Sequence, residues 1–159
     1  RGVLVTPLDT QALRQVYEVR GALDALAVRL AAANRHQLDP NLIARGRTAA
    51  LGTDVKAMID ADMAFHEAIY AAANNPLIAQ SAQVHWRHIR RVMGAVLQSA
   101  QQRGKVWDEH EAILKAIADG DADRALTLIN HHSAEAASKI AARLDEQLSQ
   151  QKTYLGDNR

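Results

Sequence analysis

The sequence predicts an all-α domain, an antiparallel bundle of about six helices with an internal metal site, and three observations carry the fold. Helix-forming alanine, leucine, glutamine and arginine are abundant, whereas prolines number 3 and aromatic residues make up 4%, which leaves little material for a sheet. Apolar side chains recur at i, i+3 and i+4 through most of the chain. The connections between these stretches are short, which favours antiparallel neighbours. At 159 residues the chain fits one domain able to bury roughly two-thirds of its unfolded surface.

The opening "RGVLVTPLDT" is the only strand-like stretch. A lone strand has nothing to pair with in a helical domain, so residues 1–9 are expected to be the remnant of a preceding domain and its linker. Helix one is expected over Thr10–Asn34, capped by Asp9 or Thr10, with Leu13, Val16, Tyr17, Leu23, Ala27 and Leu30 on one face. A second helix has Asp39 as its cap and Pro40 at its first position, and Gly46 and Gly52 keep it short. Thr53 caps a third through Ala73, ended by Asn74, Asn75 and Pro76. A fourth covers about Pro76 to Gln102, a fifth about Val106 to Asp119, and "DGDAD" restarts a sixth reaching about Gln150. The helical domain is thus expected over 10–150, with 151–159 a fraying tail.

Composition excludes several classes of function. The absence of cysteine removes disulfides, thiol nucleophiles and cysteine zinc ribbons, and a reducing, cytoplasmic setting is the default. No run approaches the roughly 18 to 20 apolar residues a membrane span needs. Lysine plus arginine number 19 against 18 aspartates and glutamates, so no large positive field calls nucleic acid to this segment.

The helical phase singles out a set of polar residues. Val55, Met58, Ile59, Asp62, His66, Ile69 and Ala73 share one stripe of helix three, so Asp62 and His66 point inward one turn apart. On helix five His110 lies in the seam with Val106, Ile113, Leu114 and Ile117. On helix six His132 shares a stripe with Ala125, Leu128, Ile129, Ala136 and Ile140, whereas His131 falls with Arg124, Thr127, Glu135 and Ser138 and is expected in water. His36, His85 and His88 have no comparable joint placement.

A buried carboxylate costs several kcal/mol unless it is compensated. Asp62, His66, His110 and His132 would together compensate it by holding a divalent cation, zinc first, with nickel, iron or manganese as alternatives. The plainer alternative is a set of satisfied core histidines and an Asp62–His66 pair along one helix. Arg20, on the packing side of helix one, is a candidate for binding a ligand carboxylate, or else it pairs with Asp24 or Asp62. Arg90 is a second candidate, its alternative being a solvated flank. Glu67 and Glu109 neighbour the ligands in sequence but are expected to point away, which leaves a hydrolase without a general base.

"DADMAFHEAIYAAANNP" followed by "DEHEAILKAIADGDADRALTLINHH" resembles the ligand-sensing C-terminal domain, the FCD domain, of the FadR branch of GntR-type bacterial transcription regulators. The features fall on Asp62, Phe65, His66, Asn74 or Asn75, His110, Gly120, Asp121 and His132, and "YEVRGALDALAVRLAA" is similar to the family's first sensor helix, with Asp24 where glutamate is commoner. "RGVLVTPL" resembles the end of the wing of a winged helix-turn-helix domain, which implies that operator DNA is bound by an N-terminal domain outside this chain. The resemblance implies a metal with open positions for a small carboxylate effector, and a homodimer. Two other functions are weighed beside an effector sensor: a metal-dependent hydrolase, and a helical dimerisation module with a structural metal.

Overall fold

The computed structural model describes residues 9–97 and 104–156, with side chains as far as Gln151 in the last helix. The expected wing remnant, apart from Asp9, and the expected end of helix four therefore lie outside the described residues. Within them there are six helices and no strand: α1 (Thr10–Ala33), α2 (Asn41–Leu51), α3 (Val55–Ala72), α4 (Pro76–Val96), α5 (Gly104–Asp119) and α6 (Ala122–Gly156). The all-α bundle is as expected.

Each boundary has a local cause. Asp9 accepts from the backbone N–H groups of Gln11 and Ala12 and starts α1. Asp39 Oδ1 accepts from Asn41 N–H at 2.9 Å, so it serves the start of α2 although Pro40, not Asp39, is the residue next to the helix. Asp54, not Thr53, caps α3, by accepting from Ala57 N–H at 3.1 Å. Asn74 takes the left-handed conformation, φ 52°, that asparagine tolerates, and Asn75 then caps α4 with Pro76 at its first turn. Gly120, at φ 75°, ends α5, and Asp121 Oδ1 accepts from Arg124 N–H to start α6. α6 runs to Gly156 and so continues through part of the expected tail.

α1 lies along α6 and also touches α3, α4 and α5, while α2 leans on α3 and α5. The α1 face that buries Leu13, Tyr17, Ala27, Val28 and Ala31 also buries Arg20 and Asp24. Aromatic residues fill the middle. Phe65 and Trp107 meet edge to face at 6.5 Å, and Trp86 is buried beneath α1.

Gly46 does not limit α2, contrary to its expected role as a breaker; the helix passes through it. It is there because α5 comes close. A Cβ at this position would lie 2.1 Å from the Trp107 ring, far inside the roughly 3.5 to 4 Å of ordinary carbon contact. Gly46→Ala gains about 1 kcal/mol of helix propensity. It must also displace a buried indole, at about 3 kcal/mol. The clash wins, and a loss of about 2 kcal/mol, or about 4 to 8 °C in Tm, is expected. Gly94→Ala on α4, where a Cβ meets nothing within 4 Å, should instead leave Tm unchanged or raise it. Thermal melts followed by circular dichroism check both.

Candidate metal centre

The four polar residues expected to converge do so. Asp62, His66, His110 and His132 each offer one ligand atom, and those atoms lie within 4.8 Å of one another. His66, His110 and His132 are buried, and Asp62 sits at the edge with 17% of its side chain exposed. His131 is exposed, as the phase of α6 required. Glu67 is exposed too.

The spacing suits a cation. His110 Nε2 is 3.3 Å from His132 Nε2 and 3.5 Å from Asp62 Oδ1. Donors bound to one ion at about 2.1 Å sit about 3.0 to 3.4 Å apart at right or tetrahedral angles, so small movements close the set. Burial, followed by the neighbouring His132, His66 and Arg20, lowers the pKa of His110 well below the imidazole range. Burial, followed by Arg20, likewise lowers that of His66, against a smaller opposing pull from Asp24. Both rings are therefore held neutral, which is the form that ligates.

Two of the imidazoles are oriented from behind. His132 Nδ1 lies 2.9 Å from Glu109 Oε2, so its N–H donates to that carboxylate and Nε2 is left to face the other donors. This corrects the expectation that Glu109 points away. Its Cβ leaves α5 off the seam, but the side chain is long enough to reach across to α6. The Glu109 carboxyl is lowered first by this hydrogen bond. His66 Nδ1 lies 3.5 Å from Asp24 Oδ1, a looser version of the same arrangement. His110 differs. Its ring stacks on Phe65 at 3.8 Å and meets Trp107 edge-on at 4.6 Å, and its Nδ1 is buried without a hydrogen-bond partner.

Arg20 is 2% exposed and lies at the centre of a second polar group. Its Nε is 3.1 Å from Asp24 Oδ2, close enough for an ion pair but too poorly aligned for a hydrogen bond. Its Nη2 is 2.7 Å from His66 Nε2, and its guanidinium lies 4.3 Å over the Trp86 ring. Tyr70 donates to Asp24 Oδ1 at 2.5 Å, and Ser133 donates to Oδ2 at 3.5 Å. Burial would raise the Asp24 carboxyl, but Arg20, His66 and Tyr70 together hold it well below the carboxylate range. Burial, the largest single influence, likewise opposes the charge on Arg20, but Asp24 together with Tyr17, Tyr70 and Asp62 outweighs it, so the arginine stays charged. Arg90 is elsewhere. It is 43% exposed, pairs with Asp60 at 3.1 Å, and is not among the residues lining the cavity.

That cavity, of about 320 Å³, is lined by Asp62, His132 and Glu109 from the centre, by Arg20 and Tyr17 from α1, and by apolar side chains of α3, α4 and α6. Among the groups at the centre, Arg20 is matched by Asp24 and the carboxylates of Asp62 and Glu109 remain, where a dication would balance them. The donor set fits a divalent metal. The sequence pointed to the four donors and offered Asp24 as one partner for Arg20, which the structure bears out, but it did not point to Glu109 as an orienting group, nor to Tyr70 and Trp86 as part of the setting of Arg20.

None of the curated proteins matches this chain. Among solved structures, E. coli McbR/YncC superposes with a TM-score of 0.77 at 16% identity, over 87% of this chain and 72% of that one. A transcriptional regulator of the GntR family from Pseudomonas syringae pv. tomato superposes with a TM-score of 0.70 at 18% identity, over 94% of this chain and 64% of that one. At such identities the likeness is one of fold. The model of the FCD domain matches residues 15–135, which span α1 to the first half of α6 and include every one of the four donors. The chain belongs to the FCD domain family.

Proposed function

We propose that the chain is the effector-sensing domain of a metabolite-responsive transcription regulator, working as a homodimer in the cytoplasm, with operator DNA bound by a separate domain. The observation that supports this reading is that Asp62 and His132 line the same cavity as the buried, charged Arg20. Asp62, His66, His110 and His132 would hold a divalent cation, zinc first among zinc, nickel, iron and manganese, which supplies open positions to a small carboxylate. Arg20 adds a planar fork suited to the same carboxylate. His66 Nε2 has one lone pair, so Arg20 cannot go on donating to it when that nitrogen ligates, and the guanidinium is then available to an anion. Because Arg20 sits on α1 and His132 on α6, a ligand that draws them together favours one packing of the two helices over another, which is the differential affinity a sensor requires.

The hydrolase alternative needs a carboxylate free to take a proton from water. The carboxylates at the site are engaged: Asp24 with Arg20 and Tyr70, Glu109 with His132, and Asp62 among the donors. A purely structural cation would leave the adjoining cavity without a role.

The chain purified without chelator is expected to carry about one equivalent of metal by elemental analysis. Asp62→Ala and His132→Ala should lose it and His131→Ala should retain it; equal retention by the two histidine variants would overturn the site. Glu109→Gln, which keeps the shape but weakens the hold on His132, should lower zinc affinity about 10- to 100-fold in a chelator competition.

Arg20→Lys keeps a charge opposite Asp24 but loses the fork. Calorimetry with a small carboxylate should show affinity for the metal-loaded protein falling about tenfold while metal content is unchanged. Loss of both together would make Arg20 structural.

A further inference from the structure

We propose that the cavity takes an organic acid with an anionic group at each end, one end at the donor set and Arg20, the other between Lys105 of α5 and Arg143 of α6. The first end rests on the function proposed above; the second rests on separate residues. Lys105, Lys139 and Arg143 all line the cavity. Lys139 pairs with Glu135 at 2.9 Å, whereas Lys105 and Arg143 have no carboxylate partner among the described residues.

Their placement is directional. Lys105 precedes His110 by five residues on α5, and Arg143 follows His132 by eleven on α6. α5 and α6 are joined by the tight turn at Gly120 and Asp121 and run antiparallel, so both displacements lead towards the same end of the bundle. Along α6 that is roughly 16 Å of rise, of which the side chain recovers part by leaning back towards the helix N-terminus. Between the two charged ends the wall carries the apolar side chains of Met93, Leu97, Val106, Ala136 and Ile140 together with the Glu135–Lys139 pair, whose charges answer each other. The volume of about 320 Å³ corresponds to about ten times the roughly 30 Å³ share of a water molecule, so a two-carbon acid would leave most of it unfilled and both far cations unanswered. A longer acid with an apolar middle fills the space, and a second anionic group meets the two cations.

The test is calorimetry of the zinc-loaded chain with equal-length pairs, adipate against hexanoate and suberate against octanoate. The dicarboxylate of at least one pair should bind about tenfold tighter, as a charge-assisted contact of about 1.5 kcal/mol gives. The advantage should shrink as salt is raised. Lys105→Gln combined with Arg143→Gln, both outside the core, should abolish that advantage while leaving the monocarboxylate affinity unchanged, and an unaltered melting curve shows that the variant is folded. If monocarboxylates bind and dicarboxylates bind no better, or if the advantage survives in the variant, the two-ended ligand is overturned and the carboxylate reading stands. If neither class binds the zinc-loaded chain, both are overturned.

Discussion

The interior of this bundle is organised around the ion pair of Arg20 and Asp24, two charges one turn apart on α1, both almost fully buried. Removing such charges from water costs several kcal/mol each, and attraction between them repays it only if the remaining polar atoms are also answered. Apart from Arg20 Nε, which meets Asp24 without a hydrogen bond, they are answered by neighbours from three other helices. Tyr70 from α3 and Ser133 from α6 donate to Asp24, Trp86 from α4 offers its ring face to the guanidinium, and His66 from α3 accepts from it. The pair therefore fixes the relative positions of α1, α3, α4 and α6 before any ligand is considered. Such a network contributes more to specifying one packing than to net stability, because apolar residues of the same volume would pack without the desolvation cost.

The donor set uses that rigidity. His66 belongs to both groups: its Nδ1 lies 3.5 Å from Asp24 and its Nε2 2.7 Å from Arg20, and one of its nitrogens is among the converging donors. His132 is held by Glu109, and His110, whose Nδ1 has no hydrogen-bond partner, is held on that side by packing between Phe65 and Trp107. Trp107 in turn occupies the space that Gly46 leaves open in α2. A missing side chain on a helix that contributes none of the four donors thus sets the position of a helix that contributes one. This is how a short peripheral helix comes to matter at the centre.

Most of this was legible in the sequence at the level of direction. Period 3.6 gives the direction in which each Cβ leaves its helix, and that sufficed to turn Asp62, His66, His110 and His132 inward and His131 outward. It does not give the place where a long side chain ends. Glu109 leaves α5 off the seam and yet reaches His132. Arg90, in contrast, is adjacent in sequence to buried Ile89 but ends at Asp60 on the surface. Gly46 was misread for a related reason. A glycine within a helical pattern signals either a break or a close neighbour, and only the position of α5 separates the two. The cap of α3 differed by a single residue, because Thr53 stands beside Asp54, whose carboxylate is able to serve.

One imidazole links these features. The Nε2 atom of His66 is approached at 2.7 Å by Arg20, and His66 is also one of the four residues whose donor atoms converge. A lone pair has room for one partner, so a guanidinium and a cation are mutually exclusive there. The competition has a definite sign. Whatever ligates through His66 weakens the hold of His66 on Arg20, leaving the arginine to Asp24, to the face of Trp86 and to any anion in the cavity. Whatever anion engages Arg20 removes a competitor for the imidazole. By reciprocity the two binding events favour each other to the same degree. Arg20 lies on the helix with the most extensive contact to α6, so an exchange of partners there would act where those two helices pack.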